Sequence, residues 1–216
     1  MGFSTTAPKL ATRGRTGRNS RCHVIHPFQG MTPRIGDRVF IAPTATVLGD
    51  VAIEDDVSIW FNCVLRGDVN AMRIGARSNV QDLCCLHVTN HKWPLVVEEE
   101  VSIAHNVMLH GCTIRKGALV GMSTTIMDGA VVGEGCLVAA GSLLKEGFQA
   151  PPHTLVAGWP ATVKGELTPG QLALVASGGP RYIRYKEAYF KDGWAMAVGP
   201  RAPFPEPGFQ DGHPFP

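Results

Sequence analysis

The fold of this chain is decided by residues 114–144, which read IRKGALVGMSTTIMDGAVVGEGCLVAAGSLL. An Ile, Leu or Val returns at every sixth position from Ile114 to Leu144, a period that fits neither an α-helix nor an alternating strand. It predicts a hexapeptide β-helix, in which short strands wind around a triangular core. Small or β-branched residues stand four positions after each aliphatic residue except Leu144, which is followed by Phe148, and these are the places where the coil has to turn tightly.

The same spacing extends upstream to Ile35, with interruptions after Leu65 and Leu86 and one residue dropped after Leu109. Three hexads complete one coil, so eighteen hexads predict about six coils. The fold class is therefore all-β, a parallel β-helix over residues 25–165 with a C-terminal α-helix. The eighteen aliphatic positions are Ile35, Ile41, Val47, Ile53, Ile59, Leu65, Ile74, Val80, Leu86, Val97, Ile103, Leu109, Ile114, Val120, Ile126, Val132, Val138 and Leu144.

The composition is that of a globular protein with many turns. Of its 216 residues 44% are hydrophobic and 18% are charged, with 25 Gly and 16 Pro. A net charge of +2 argues against a nucleic-acid partner, and no apolar run has the about 20 residues of a membrane helix. Six cysteines without a CxxC pair, and no apolar leader segment, predict reduced thiols in a cytoplasmic protein.

The two ends of the chain differ from its middle. Residues 1–24 contain Lys and Arg but no acidic residue, a pattern typical both of a basic extension and of an organelle transit peptide. We expect a basic extension, since no amphipathic stretch is visible. Residues 193–216 are too rich in proline for a helix or strand interior and predict an extended tail.

A helical segment is predicted over residues 166–192. Thr168-Pro169-Gly170-Gln171 has the form of a capping box with proline at the first helical position. Gly178-Gly179-Pro180 predicts a break, after which residues 181–190 (RYIRYKEAYF) form a second helical piece. Between the repeat and this segment, the prolines of residues 151–160 predict an extended connector.

Three histidines of the repeat carry the candidate chemistry. With residues 90–94 (NHKWP) as an outward loop, His87 and His110 lie one coil apart on one face, close enough to share a ligand. His105 falls on a different face, where a neighbouring chain can reach it more easily than His87 or His110 of its own chain can. Sites shared between chains in this way predict a closed threefold ring. Three imidazoles with an open position form a catalytic zinc site, whereas exposed strand histidines are otherwise ordinary surface residues.

Four strings of the chain resemble the γ-class carbonic anhydrases and their close relatives. The strings are LRGD at 65–68, NVQD at 79–82, LHVT at 86–89 and AHNVMLHGC at 104–112. The resemblance runs from about residue 25 to residue 163. It implies a left-handed β-helix, assembled as a homotrimer with three metal sites at the subunit interfaces.

The resemblance also implies roles for single residues. The metal ligands are His87, His105 and His110, holding Zn²⁺ or alternatively Fe²⁺ or Co²⁺, since imidazole suits all three. Arg66 and Asp68 match the pair that ties neighbouring subunits together near the site.

Three further residues of the site follow from the same resemblance. Gln81 matches the residue that hydrogen-bonds the metal-bound water, and Asp82 matches the acid that orients its surroundings. Tyr182 matches a helix tyrosine that reaches toward the site, although the predicted break at residues 178–180 interrupts its helix.

The implied activity is the reversible hydration of carbon dioxide to bicarbonate, a lyase reaction. This chain has Val69 where the best-characterised enzyme of the γ class has a Glu, and the loop after the first histidine offers only His91 as a proton shuttle. The hydration activity is therefore predicted to be weak and limited by the buffer concentration. Two alternatives remain open, a hexapeptide-repeat acyltransferase using acyl-CoA and a metal-stabilised trimeric scaffold without activity.

Overall fold

The computed structural model describes residues 25–194, so residues 1–24 and 195–216 lie outside the described residues. Twenty strands, most of them two or three residues long, are followed by one helix. No helix within residues 25–194 is both long enough and apolar enough to cross a bilayer. In chain order the elements are β1 Ile25–His26, β2 Arg34–Ile35, β3 Phe40–Ile41, β4 Thr46–Ile53, β5 Ser58–Ile59, β6 Val64–Ile74, β7 Asn79–Val80, β8 Cys85–His87, β9 Leu95–Val97, β10 Ser102–Ile103, β11 Met108–His110, β12 Thr113–Ile114, β13 Leu119–Val120, β14 Thr125–Ile126, β15 Val131–Val132, β16 Leu137–Val138, β17 Leu143–Leu144, β18 Gln149–Ala150, β19 Thr154–Gly158, β20 Ala161–Glu166 and α1 Pro169–Lys191.

The strands form a parallel β-solenoid with three faces. The aliphatic residues of the repeat pair directly with their counterparts one coil away, so each face carries one vertical column. The first column is Ile25, Val47, Leu65, Leu86, Leu109, Ile126 and Leu144. The second is Ile35, Ile53, Ile74, Val97, Ile114, Val132 and Ala150. The third is Ile41, Ile59, Val80, Ile103, Val120, Val138 and Val156.

The prediction from the six-residue period is confirmed, since all eighteen predicted aliphatic positions are buried. The solenoid has about seven coils rather than about six. The difference lies at the ends, because Ile25 starts an earlier coil and the spacing continues after Leu144 at Ala150 and Val156. The predicted extended connector is therefore wrong: β18 and β19 lie in the last coil, and β20 folds back antiparallel on β19.

Two long strands join the first and second faces into one sheet. Both β4 and β6 continue around the corner between these faces, and they pair with each other along most of their length. Arg66 and Asp68 lie on β6, so the corner geometry of this strand fixes where their side chains project.

The cysteines of the repeat have a structural role. Cys63, Cys84 and Cys136 are buried, and their thiols donate to the carbonyl oxygens of Gln81, Ala104 and Pro151 at 2.9–3.0 Å. Contact with the Cys63 thiol, together with burial, raises the pKa of Cys84. Burial likewise raises the pKa of Cys112 to about 12. The Cys84 and Cys112 thiols are poor nucleophiles, because the thiolate is the reactive form.

The C-terminal helix begins as predicted but is not broken. Thr168 caps it, its hydroxyl accepting from the Gln171 amide while the Gln171 side chain accepts from the Thr168 amide. The predicted break at Gly178-Gly179-Pro180 is wrong, since α1 is continuous through these residues. A Cβ on Gly178 would lie 2.4 Å from the Ser102 hydroxyl, so the missing side chain lets the helix approach the solenoid closely.

A buried lysine anchors the helix to the lower coils. Lys186 is fully buried, and its Nζ donates to the backbone oxygen of Arg38 at 2.9 Å and to Asp56 Oδ1 at 2.6 Å. Beside it, Tyr189 packs edge-on against Phe40 and Trp60, with ring centroids 5.3 and 5.1 Å away. The aromatic contacts and the ion pair together fix which side of the helix faces the solenoid.

Candidate metal centre

Two of the three predicted ligands meet within one chain. His87 ends β8 and His110 ends β11, and the two residues pair in register on the first face, as the hexad alignment predicts. Their side chains project outward, with His87 Nδ1 3.0 Å from His110 Nε2. The register continues one coil down to Arg66.

The His87 ring is oriented by a carboxylate. Its Nε2 lies 3.0 Å from Asp68 Oδ1, and Arg66 donates to the other oxygen of Asp68. Burial works to raise the pKa of Asp68, but the bonds from Arg66 and His87 outweigh it and lower the pKa. Burial lowers the pKa of His87, against the raising effect of Asp68. The result favours the neutral imidazole, the form that binds metal.

The His110 ring is oriented by a second carboxylate, which the sequence analysis missed. His110 Nδ1 lies 2.6 Å from Asp128 Oδ1, and the other oxygen of Asp128 accepts from the Thr89 hydroxyl at 2.6 Å. The only signal in the sequence is that Asp128 follows His110 by 18 residues, the length of one coil. That offset is shared by many pairs in a solenoid, so it does not single out Asp128.

The two carboxylates determine which nitrogens face each other. A carboxylate only accepts hydrogen bonds, so Asp68 selects the Nε2–H tautomer of His87 and Asp128 the Nδ1–H tautomer of His110. The remaining lone pairs, on His87 Nδ1 and His110 Nε2, then point toward each other across 3.0 Å. Two facing lone pairs repel unless a cation lies between or beside them, so these residues fit a metal ion. We call Arg66, Asp68, His87 and His110 the first half-site.

The third predicted ligand lies elsewhere on the chain. His105 is on the corner after β10, and its side chain is 41% exposed against 17% for His87. Its Nδ1 lies 2.9 Å from Asp82 Oδ2, while Asp82 Oδ1 accepts from the Phe61 amide at 3.1 Å. Within residues 25–194 of a single chain, no three His, Cys, Asp or Glu side chains converge on one point.

The remaining predicted residues surround His105. Gln81 and Tyr182 line a groove of about 430 Å³ between α1 and the solenoid, together with His105. Gln81 is buried, and its Nε2 donates to Asn79 Oδ1 at 3.1 Å. Burial and the negative charge of Asp82 raise the pKa of Tyr182 to about 12. We call Gln81, Asp82, His105 and Tyr182 the second half-site.

The chain is similar to proteins of known family. The bacterial transferase hexapeptide pattern (six repeats) matches residues 32–67 and 111–146. A protein of Geobacillus kaustophilus named carbonic anhydrase is 47% identical over 145 residues, which cover 67% of this chain and 79% of the relative. Protein YrdA of Escherichia coli is 42% identical over 176 residues, which cover 79% of this chain and 96% of the relative.

A solved structure shares the fold. The hexapeptide transferase family protein from Anaplasma phagocytophilum superimposes with a TM-score of 0.73 at 35% identity, covering 77% of this chain and 98% of that one. The period of six, the three parallel faces and the similarity to these relatives all indicate the same family. The chain belongs to the γ-class carbonic anhydrase-like family of hexapeptide-repeat proteins.

Proposed function

We propose that the protein is a metal-dependent carbonic anhydrase that hydrates carbon dioxide reversibly to bicarbonate. The observation that carries the proposal is that each of the three histidines lies within 3.0 Å of a carboxylate oxygen. Carboxylate–histidine pairs orient metal ligands and make them more basic. Surface histidines without such a role have no reason to share this arrangement three times.

The two half-sites complete each other only between chains. We propose a homotrimer in which His105 of one chain joins His87 and His110 of the next. An outward column beside the first half-site supports this assembly, since Val64 and Met108 are 38% and 39% exposed there. A second copy of the chain would bury these apolar side chains and supply the third imidazole.

The residues of the chain provide ligands, orientation and a water-binding surface. A zinc, iron(II) or cobalt(II) ion supplies, when bound, the acidification of water that hydration requires near neutral pH. Asp68, Asp82 and Asp128 hold one proton each on the outer nitrogen of a ligand histidine. Because Gln81 Nε2 donates to Asn79, the Oε1 of Gln81 remains to accept from a water in the groove beside His105.

Metal analysis and a hydration assay test this function together. The purified protein should contain close to one zinc, iron or cobalt ion per chain, and stopped-flow with a pH indicator should show hydration that a chelator abolishes. His110→Ala should lose both the metal and the activity. His153→Ala is the matched control, because His153 is exposed on another corner of the solenoid. Full metal loading without hydration would favour the scaffold interpretation.

One observation favours the acyltransferase alternative. His105 and Asp82 form a His–Asp pair that opens into the groove under α1, a geometry that could also serve a general base. Against it, the excursions from the coils within residues 25–194, at 27–33 and 88–94, are short. Incubation with acetyl-CoA or succinyl-CoA together with amine and hydroxyl acceptors, followed by a free-thiol assay, distinguishes the two functions, and we expect no thiol release above that without protein.

A further inference from the structure

Asp128 is bound at both of its carboxylate oxygens. One accepts from His110 at 2.6 Å, and the other accepts from Thr89 at 2.6 Å. The hydroxyl of Thr89 also lies 3.4 Å from His110 Nδ1. A carboxylate held at both oxygens cannot rotate, so it presents a fixed acceptor to the imidazole.

The loop between β8 and β9 brings Thr89 to this carboxylate. Thr89 and Trp93 form an antiparallel bridge, in which the Thr89 amide donates to the Trp93 oxygen at 3.0 Å and the Trp93 amide donates back at 3.3 Å. This bridge closes the loop of residues 90–94 on itself. The interruption of the repeat therefore places Thr89 and Trp93 side by side.

Trp93 covers the turns that carry His110 and Asp128. A Cβ on Gly111 would lie 2.6 Å from Trp93 Cβ and 2.4 Å from Asp128 Oδ1. A Cβ on Gly129 would lie 3.0 Å from the Trp93 ring. Both glycines also have positive φ, +49° and +66°. Glycine is needed at both positions, because only it permits this backbone and this close approach together.

We propose that Asp128, held by Thr89 and covered by Trp93, is a positioning residue that fixes the tautomer and the orientation of His110. Its role is to keep the Nε2 lone pair of His110 directed at His87 Nδ1. The proposal rests on the proposed function for its purpose, since a fixed lone pair serves a metal ligand. The geometry itself concerns only residues of one chain.

The matched control lies one coil away. Glu146 occupies the position 18 residues after Asp128, two residues after Leu144 as Asp128 is two after Ile126, and it is exposed. Asp128→Ala removes the acceptor, and Glu146→Ala removes a carboxylate from the same place on the next corner. Asp128→Asn keeps an acceptor oxygen without the charge and serves as the conservative variant. Thr89→Val removes only the donor that holds the carboxylate.

Two measurements test the proposal on the full chain. Zinc affinity, measured by competition with a chromophoric chelator, should fall about 10–100-fold for Asp128→Ala. It should fall less for Asp128→Asn and Thr89→Val, and stay unchanged for Glu146→Ala. Long-range proton–nitrogen NMR of the metal-free protein should show His110 with its proton on Nδ1, and Asp128→Ala should give a mixture of tautomers.

The outcomes separate this proposal from the function. A wild type that binds no zinc, iron(II) or cobalt(II) contradicts the proposed function, while the tautomer measurement still tests the role of Asp128. Zinc affinity within twofold of wild type in Asp128→Ala, or an unchanged His110 tautomer, overturns the positioning role. If Asp128→Ala fails to fold, the Asp128→Asn and Thr89→Val variants decide the same question.

Discussion

The two half-sites are built by different means, although each presents a histidine bound to an aspartate. The first half-site lies on one face of the solenoid, where strand register stacks His87 and His110 and buries them in part. The second lies on an open corner, where helix α1 and the solenoid enclose a groove beside His105. Register alone brings two of the proposed ligands together within one chain, whereas the third, His105, lies on another part of the solenoid and is more exposed.

Subunit complementation is the most direct test of whether the two half-sites meet between chains. We expect His105→Ala and His87→Ala to bind no metal when each is produced alone. Co-produced with different tags, the two should recover about a third of the wild-type metal in mixed trimers, since each mixed trimer keeps one of its three interfaces intact. Metal analysis of the doubly tagged fraction checks this expectation.

The same experiment has a clear contrary outcome. A site built within one chain would gain nothing from mixing, because every chain then lacks one ligand. A monomer by light scattering in the presence of metal would likewise contradict the shared site. His105→Ala mixed with His110→Ala provides the second pairing, and it should behave like the first.

Transfer of the released proton to the buffer should limit the rate of hydration at the first half-site. Val69 next to Asp68 cannot carry a proton, and it packs against the core, so Val69→Glu would place a charge against apolar side chains. His91→Ala should therefore be the cleaner test, lowering hydration about 2–5-fold at low buffer. Added imidazole buffer should restore the rate, as followed by stopped-flow. An equal rate at every buffer concentration would contradict a proton-export limit.

Loosening the helix should affect the second half-site and spare the first. Lys186→Met keeps the buried stem but removes the bonds to Arg38 and Asp56, and it should lower the free energy of unfolding by about 2 kcal/mol. Urea unfolding of the metal-free protein measures this change. The NMR tautomer of His110 should stay as in wild type, and a shifted tautomer would show that the half-sites are not independent.

The ion pair between Lys186 and Asp56 also makes the free energy of unfolding depend on pH. Burial opposes the charged form of Asp56, but the bonds from Lys186 and Arg38 outweigh it and lower the pKa below its ordinary value of 3.8. The unfolded chain then binds this proton more readily than the folded one, so the stabilisation is fully present above that ordinary value and is lost as the pH falls further. In Lys186→Met, the free energy of unfolding from urea titrations should fall less between pH 5 and pH 3 than in the wild type. These two pH values lie about one unit on either side of the ordinary pKa of Asp56.

The smallest effect is expected at Tyr182. With its pKa raised to about 12 by burial and by Asp82, the phenol keeps its proton throughout the working range. Tyr182→Phe should lower hydration by at most about 2-fold, because it removes only one hydroxyl from the lining of the groove. The shape of the pH–rate profile should stay the same. A limb of the profile that disappears in this variant would show that the phenol titrates during turnover.

The solenoid and the pairing of His87 with His110 could both be predicted from the amino-acid sequence. Both follow from a spacing of six that repeats along the chain, so that positions which share a place in the hexad also share a column in space. The capping box at Thr168 was equally visible, because a helix start depends on neighbours within one turn. The last coil was missed because Ala150 is smaller than the residues of the pattern, and the first because residues 27–33 interrupt the spacing between Ile25 and Ile35.

The placement of the carboxylates and of the helix depends on tertiary contacts. Asp128 reaches His110 from the next coil, two glycines let Trp93 close over these turns, and Asp82 rather than any nearer acid meets His105 on its corner. The helix continues through residues 178–180 because Gly178 packs on Ser102, a contact that outweighs the local preference for a break. Each of these depends on atoms far apart in the chain that approach within a few ångströms, and no local period encodes such an approach.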